Sequence, residues 1–187
     1  MGEINSIEFR RIKGITISLR HRLLPGDLGR IITFHGTTYA REHGLGSLFE
    51  SYVAQTVGEF ATRPRKSEEG SFIDASSNRE KIWLLSEEDK PELVGCCALI
   101  DGGENRAQFR WFLLDSRYRG LGIGKQLLQE TLDFARSGGY REVFLFTGDF
   151  LLPAANLYRS MGFRLVEEHL FDKWEVPNHE QKYVLIL

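Results

Sequence analysis

The sequence predicts an α/β fold in which helices cover the faces of a mixed sheet. Short apolar runs of strand type recur along the chain, and longer runs with helical spacing separate several of them. In order, the elements are β-αα-β-β-β-α-β-α-β-β. A third observation is a group of glycines at residues 120–124, between a strand and a helix, where a fold of this class can bind an anion.

Length and composition fit a single domain. The 187 residues suffice for a substantial core, and contents of 42% apolar and 27% charged residues are ordinary. The net charge of −2 gives no electrostatic reason to bind nucleic acid or an anionic membrane. No apolar run approaches the ~20 residues of a membrane span, and no signal peptide is recognisable, so a cytoplasmic protein is expected. We divide the chain into an N-terminal arm, residues 1–14, and one domain, residues 15–187.

The domain is expected to begin with a strand and a helix. Ile15–Arg20 alternates between apolar and polar residues, as a half-buried strand does. After a turn, Asp27 is placed to cap a helix that runs to about His43. Gly44 follows and supplies the stop.

A second helix is expected from Ser47 to about residue 61. Ser47 and Glu50 have the spacing of a capping box. On the first helix, His35, Tyr39 and Glu42 share one face. They could line a substrate pocket, or they could pack with satisfied polar tips while Glu42 is solvated.

Strands follow a polar, turn-rich connection at residues 62–79. Ile82–Leu85 and Leu93–Ile100 predict a hairpin around a charged turn. Cys96 and Cys97 are neighbours on the second strand and therefore point to opposite faces, so we expect small core residues and no disulfide or metal site. The remaining elements are expected as a strand at 107–114, a helix at 123–137, a strand at 143–147, a helix from 153 to 161, and strands at 163–166 and 183–187.

Three glycines open the long helix: Gly120, Gly122 and Gly124. A helix N-terminus offers unpaired N–H groups and a partial positive charge, and glycine lets the backbone approach an anion closely. Arg119 and Lys125 add positive charge on either side. The spacing excludes the dinucleotide fingerprint and the P-loop. The alternative is a strand-to-helix turn in which the glycines only permit tight packing.

The pattern Arg-x-x-Gly-x-Gly, formed by Arg119, Gly122 and Gly124, resembles the pyrophosphate-binding signature of the GNAT superfamily of acyl-CoA-dependent N-acyltransferases. Residues 157–163, Leu-Tyr-x-x-x-Gly-Phe, resemble a second signature that follows the family's fifth strand. Ala154 also stands where family members usually carry alanine. The resemblance covers nearly the whole chain. It implies the GNAT fold, a central, mostly antiparallel sheet of about seven strands with helices on both faces.

The resemblance also implies a reaction, the direct transfer of an acetyl group from acetyl-CoA to a primary amine. Tyr158 matches the family's usual general acid for the CoA thiolate, and its ordinary pKa of ~10 is close to the ~8.5 of a thiol. A backbone N–H near Leu113 or Leu114 is expected to bind the thioester carbonyl. The implied CoA-binding residues are Leu113, Leu114, Arg119, Gly120, Leu121, Gly122, Ile123, Gly124, Lys125 and Ala154.

The acceptor side is less defined. Glu42, Glu80, His35 or a water chain could take the proton of the incoming amine. Arg110, if it faces the pocket, would suit an acceptor with a carboxylate or phosphate; otherwise it is a surface or ion-paired arginine. The candidate pocket residues are His35, Tyr39, Glu42, Glu80 and Arg110.

Two further features bear on the resemblance. Leu151 stands where many relatives carry an asparagine that contacts the pantetheine arm. The stripe at residues 35–42 and the run at 80–83 look similar to a subgroup often fused to MarR-type regulators, and no such module fits before Ile15, so the catalytic domain alone is expected. We expect a small-molecule or peptide amine as acceptor, no nucleic-acid or membrane partner, and a homodimer as one state. The alternative function is a CoA-binding sensor or scaffold domain without catalysis.

Overall fold

The computed structural model describes residues 8–12, 14–63, 79–88, 90–174 and 176–187. It confirms the predicted order of elements and adds one strand. Most of the predicted connection at residues 62–79 lies outside the described residues. The elements are β1 (Glu8–Ile12), β2 (Ile15–Arg20), α1 (Asp27–His43), α2 (Ser47–Thr62), β3 (Lys81–Glu87), β4 (Leu93–Asp101), β5 (Arg106–Leu114), a 3-10 turn (Ser116–Tyr118), α3 (Ile123–Ser137), β6 (Glu142–Gly148), α4 (Leu152–Ser160), β7 (Arg164–Phe171) and β8 (Asn178–Ile186).

The added strand, β1, lies in the stretch predicted as an N-terminal arm. It pairs antiparallel with β2, from Glu8 opposite Leu19 to Ile12 opposite Ile15. Its sequence, Glu-Phe-Arg-Arg-Ile, does not alternate between apolar and polar residues. An edge strand is held by backbone pairing on one side, so its sequence pattern is weak and this strand was missed.

All strands form one eight-stranded sheet in the order β1-β2-β3-β4-β5-β6-β8-β7. Neighbours are antiparallel, as predicted for most of the sheet, except β5 and β6. These two are parallel and pair over Arg106–Gln108 and Glu142–Phe144 only. Beyond those pairs β5 continues to Leu114 and β6 to Gly148 with no further pairing between them, although both strands are described in full. The strands therefore diverge and leave an opening in the sheet.

The sheet has a hydrophobic core on each face. One core joins the strands to α1 and α2 and includes Ile31, Val53 and Cys96. The other joins them to α3 and α4 and includes Leu128 and Cys97. The two adjacent thiols are buried and free on opposite faces. The predictions of helices on both faces and of two small core cysteines are confirmed.

The start of α1 differs from the prediction. Gly26 is the N-cap, and Asp27 lies in the first turn without solvent exposure. The Asp27 carboxylate accepts hydrogen bonds from Arg20 and Arg30, and also from the N–H of Leu24 at 2.7 Å. Asp27 therefore joins β2 to α1 and does not cap the helix.

The capping box predicted for α2 is not formed. Gly46 is the N-cap, and the N–H of Glu50 donates to its carbonyl at 3.2 Å. The Glu50 carboxylate instead packs against Gly36 of α1, where a Cβ would lie 3.0 Å from it. The contact between α1 and α2 therefore engages the Glu50 side chain, which a capping box would need.

The described residues contain neither a membrane-spanning helix nor a metal-holding cluster. No helix among them is long and apolar enough to cross a membrane. The same residues contain no group of three or more His, Cys, Asp or Glu side chains arranged to hold a metal ion.

Candidate functional site

A cavity of about 480 Å³ lies where β5 and β6 diverge. Its walls come from both strands, from α1 and α2, from the start of α3, from α4 and from the segment that enters β8. Concave, partly apolar cavities of this size are the usual form of small-molecule sites. Thirteen predicted site residues line it: His35, Tyr39, Glu42, Arg110, Leu113, Leu114, Arg119, Gly120, Gly122, Gly124, Lys125, Ala154 and Tyr158.

Glu80, predicted for the same pocket, lies elsewhere. Its side chain is buried, and Oε1 accepts hydrogen bonds from the N–H of Asp101 at 3.0 Å and from Arg63 at 2.5 Å. The carboxylate thus ties the start of β3 to the end of β4. Both partners are distant in sequence, so no local pattern could reveal them.

The loop before α3 has the backbone form that its glycines predict. Gly120 and Gly122 have φ of 72° and 84°, and Gly122 is the N-cap. The N–H of Gln126 makes the first helical bond, to the carbonyl of Gly122 at 3.0 Å, so the preceding N–H groups have no partner within the helix. No atom lies within 4 Å of the Cβ position of either glycine. The loop therefore presents open, donor-rich backbone.

Gly124 has a different role, because it lets α3 approach β5. A Cβ there would lie 3.1 Å from Cζ of Phe112 and 3.3 Å from Cδ1 of Leu114. The side chains of Leu121 and Ile123 pack in the core on the α3 side and do not line the cavity. Of these two predicted CoA-binding residues, only the main chain is available to a ligand.

Arg119 is held by the protein itself. Its Nε donates to the carbonyl of Leu114 at 2.9 Å, and its terminal nitrogens donate to both oxygens of Glu42 at 2.8 and 3.2 Å. This bidentate pair joins the end of α1 to the glycine loop and to the end of β5. The sequence predicted Arg119 as a phosphate ligand, and the structure shows it as a clamp between three elements.

The same clamp bears on Glu42 as a candidate base. Partial burial raises the pKa of Glu42, but hydrogen bonds from Arg119 and Arg41 outweigh it, and the pKa is lowered overall. A carboxylate that already accepts from two arginines is a weak proton acceptor. Glu42 therefore lines the cavity with both carboxylate oxygens already engaged by arginines.

Strand β5 carries a bulge at the cavity. Its register with β4 shifts at Cys97, which faces two residues, Trp111 and Phe112. Trp111 has a φ of 50°, in the left-handed region. A bulge of this kind breaks the alternation of side chains along a strand. As a result Arg110 and its neighbour Trp111 both line the cavity.

The bulged strand also turns one amide to the opening. The N–H of Asp115 donates to the carbonyl of Val94 on β4 at 2.9 Å. Because successive amides alternate in direction along a strand, the N–H of Leu113 points to β4 and that of Leu114 points away from it. The Leu114 carbonyl accepts from Arg119 on that same side. Of the two amides predicted, only Leu114 has its amide on the open edge.

Helix α4 places Tyr158 in the wall facing β5. The ring is 5% exposed and lies 6.4 and 6.3 Å, centroid to centroid, from Phe109 and Phe112. Burial raises the pKa of the hydroxyl far above its ordinary value, and nearby Tyr39 and Cys97 act in the same direction. Tyr158 is therefore a protonated phenol and a hydrogen-bond donor.

His35 is an enclosed polar group of the wall, at 3% exposure. Its Nδ1 lies 2.9 Å from the carbonyl of Ile31, and because a carbonyl only accepts, Nδ1 carries the proton. Nε2 has no hydrogen-bond partner among the described residues. Burial lowers the pKa of His35 from 6.5 to about 4, against the opposing effect of the Ile31 and Trp111 carbonyls. The ring is neutral, with an acceptor atom at Nε2.

An aromatic wall, of which the sequence indicated only Tyr39, completes the site. The rings of Tyr39 and Phe49 are 4.5 Å apart, and Trp174 lies 5.1 Å from Phe49 and 5.8 Å from Tyr52. Arg110 donates to the Tyr52 hydroxyl at 2.8 Å. Phe49 has the spacing of a core residue on α2, and Trp174 stands in a loop, so neither carried a separate signal.

Asn178 is a second missed residue, at the start of β8. It is 6% exposed and lines the cavity. Its Nδ2 donates to the carbonyl of Val176 at 3.1 Å, whereas Oδ1 accepts from no group in the part of the chain that is described. Leu151 lines the cavity too, together with Ala154, and makes that part of the wall apolar.

Comparison with known proteins adds a family. Residues 37–163 match the model of the acetyltransferase (GNAT) family. N-acetyltransferase 8 of Homo sapiens is 39% identical over 96 residues, which are 50% of this chain and 42% of that relative. The chain therefore covers less than half the length of this relative.

Several solved structures have a fold similar to that of this chain. An acetyltransferase of the GNAT family from Staphylococcus aureus Mu50 aligns over 91% of this chain and 99% of its own, with a TM-score of 0.67 and 17% identity. A protein named as a streptothricin acetyltransferase from Bacillus anthracis, solved with acetyl coenzyme A, aligns over 59% of this chain and 65% of its own. Its TM-score is 0.50 at 18% identity. At such identities the likeness concerns the fold.

Proposed function

Because the chain belongs to the acetyltransferase (GNAT) family, we propose that it transfers the acetyl group of acetyl-CoA directly to a primary amine. The observation that carries the proposal is the cavity between β5 and β6. It brings the glycine loop of α3, the open edge of β5 and the phenol of Tyr158 to one space. These are a site for a phosphate, an edge for an extended arm and a proton donor.

The donor is expected to lie along the opening. The N–H groups at the start of α3 and the charge of Lys125 suit the pyrophosphate of CoA. The unpaired edge of β5 beyond Gln108 offers backbone groups to the amides of the pantetheine arm, as a sheet edge does to an added strand. Leu151 and Ala154 add an apolar part of the cavity wall.

The reaction breaks the C–S bond of the thioester and forms a C–N bond. The N–H of Leu114 is placed to stabilise the charge that develops on the carbonyl oxygen. Tyr158 gives its proton to the departing sulfur, and the proton lost by the attacking nitrogen returns to the Tyr158 oxygen through water, so the products are the amide, the CoA thiol and the restored phenol. Because the raised pKa of Tyr158 makes a separate transfer to sulfur unfavourable, the two proton movements are coupled.

Thermal unfolding with acetyl-CoA tests the donor. A ligand at 100 times its Kd adds about 2.7 kcal/mol to the native state, which is roughly 5–10 °C in Tm for a chain of this length. No rise in Tm at saturating acetyl-CoA would rule out the donor.

Release of CoA thiol then tests the transfer with five acceptors: ethanolamine, 2-phenylethylamine, spermidine, phenylalanine and a lysine-containing peptide. Formation of an N-acetyl product with at least one of them is expected, and mass spectrometry identifies it. A rise in Tm without acetylation of any of the five would favour the CoA-binding sensor or scaffold instead.

A further inference from the structure

We propose that His35 receives the attacking amine, whose N–H donates to Nε2 so that the nitrogen lone pair faces the thioester carbonyl. This inference rests on the proposed function and identifies the residue that orients the acceptor in it. Three observations carry it, namely the fixed tautomer of the ring, its unpartnered acceptor atom and the engagement of the competing carboxylates.

The tautomer and direction of His35 are fixed by α1. Nδ1–H donates to the carbonyl of Ile31, one turn earlier on the same helix. The ring lies nearly parallel to that of Tyr39, at 6.2 Å between centroids and 11° between planes. With Nδ1 turned to the helix backbone, the distal edge with Nε2 points away from the helix. The ring has little freedom to turn, because it is almost fully buried.

The distal atom lacks a donor. A buried acceptor without a hydrogen bond costs about 1–3 kcal/mol, and such groups concentrate at functional sites. Nε2 has no hydrogen-bond partner among the described residues. The carbonyl of Trp111, at the bulge of β5, also faces the ring and would accept a proton from it. Because the proton of the neutral ring is on Nδ1, in the bond to Ile31, the Trp111 carbonyl leaves Nε2 without a partner. A neutral primary amine has two N–H groups and one lone pair. It can donate to Nε2 and still direct the lone pair to an electrophile.

The other candidates from the sequence are occupied. Both oxygens of Glu42 accept from Arg119, and Oε1 also accepts from Arg41. Glu80 does not line the cavity, and its Oε1 accepts from Asp101 and Arg63. Of the three predicted residues, His35 alone combines a position in the wall with an acceptor atom that the described residues leave unused.

The position of His35 agrees with the way hydrogen-bond donors and acceptors are distributed around the cavity. His35 lies against the bulge of β5, while the amide of Leu114, on the same strand, points to the opening. Hydrogen-bond donors therefore face the thioester carbonyl and the phosphates of CoA, and a hydrogen-bond acceptor faces the amine.

Two substitutions separate this role from a structural one. The amide oxygen of glutamine in His35→Gln reaches the place of Nε2, whereas the amide of asparagine in His35→Asn reaches only the place of Nδ1. The acceptor is the one of the five amines that the wild-type chain acetylates fastest. His35→Gln is expected to keep kcat/KM for it within about tenfold, and His35→Asn to lower it about 100-fold, as expected for one hydrogen bond lost in a buried site. Both variants should keep the rise in Tm with acetyl-CoA.

A control variant and the results that would contradict the role of Nε2 can be told apart. Thr37→Ala, an exposed position on the same helix, should leave kcat/KM unchanged. If His35→Asn equals or exceeds His35→Gln, or if both stay within threefold of wild type, the role of Nε2 is wrong while the proposed function stands. A wild-type chain that binds acetyl-CoA but acetylates none of the five amines contradicts the proposed function itself.

A measurement on the wild-type chain covers the case in which the variants do not fold. With CoA bound, the one of the five amines that the wild-type chain acetylates fastest should shift the ¹⁵N resonance of one unprotonated histidine Nε2. The chain has five histidines, and ¹⁵N labelling reports on each. Absence of a shift at all five, at an amine concentration that supports turnover with acetyl-CoA, would overturn the inference.

Discussion

The side chains of His35 and Tyr158 are buried and line the same cavity. Their pKa values shift in opposite directions. Burial penalises the charged form of both, so the pKa of the imidazole falls and that of the phenol rises. Both side chains are therefore neutral, one with an acceptor atom on α1 and the other with a donor on α4. Neutral groups of opposite hydrogen-bonding type suit a reaction in which one proton leaves nitrogen and another reaches sulfur.

The first prediction concerns the phenol. Tyr158→Phe removes the donor without changing the ring, so the rise in Tm with acetyl-CoA should persist while kcat falls about 100-fold or more, as for loss of a general acid. Tyr140→Phe is the matched control, because that hydroxyl donates to the carbonyl of Arg79 and does not line the cavity. Equal kcat in Tyr158→Phe and wild type would remove Tyr158 from the mechanism.

The second prediction concerns stability and pH. The pKa of His35 is about 4 in the folded chain, against 6.5 for an unperturbed histidine. The unfolded chain therefore binds more protons in this window, and stability falls as the pH drops from about 6.5 to about 4, by at most roughly 3 kcal/mol. His35→Gln lacks this contribution. Urea unfolding at pH 7.5, 5.5 and 4.5 should show the variant gaining stability relative to wild type as the pH falls. If the stability of wild type and variant changed equally with pH, the lowered pKa of His35 would be contradicted.

At the scale of elements, the start of α3 provides the third prediction. Gly122→Ala places a side chain at a φ of 84°, which costs about 1 kcal/mol and turns the loop amides. Stability should fall, and the Kd for acetyl-CoA measured by calorimetry should rise. Gly29→Ala in α1 is the control, because its φ is not positive and no atom lies within 4 Å of its Cβ position. That control should gain up to about 1 kcal/mol and keep the Kd.

Local pattern predicted the elements well, because α3, β4 and the hairpin carry their periodicity in consecutive residues. Residues that line the cavity could be named from sequence where a motif is local, as at Gly122 and Tyr158. Pairing between distant strands was not, so the bulge at Trp111 and the divergence of β5 from β6 appeared only in the structure. The partners of Glu80 and Arg119 were missed for the same reason. A side chain's partner depends on register, which no short window of sequence contains.

At the scale of the whole molecule, the two cores meet at the adjacent thiols of β4. Cys96 and Cys97 are 1% and 0% exposed, and burial raises the pKa of both. In the fourth prediction, neither thiol reacts with Ellman's reagent in the native chain, and both react after unfolding in guanidinium. Acetyl-CoA should slow labelling at moderate denaturant, because it stabilises only the folded chain. Rapid reaction of either thiol in native buffer would contradict a closed core.

The opening in the sheet determines which parts of the cavity wall can vary in sequence. The cavity arises from two backbones that separate after three residue pairs, and not from small side chains in an otherwise filled core. Exchanging Phe49, Tyr52 or Trp174 for other residues alters what the wall recognises but leaves the separation of the strands in place. In the proposed reaction, the choice of acceptor can therefore evolve on α2 and the loop before β8 without changing the strand separation that would hold acetyl-CoA.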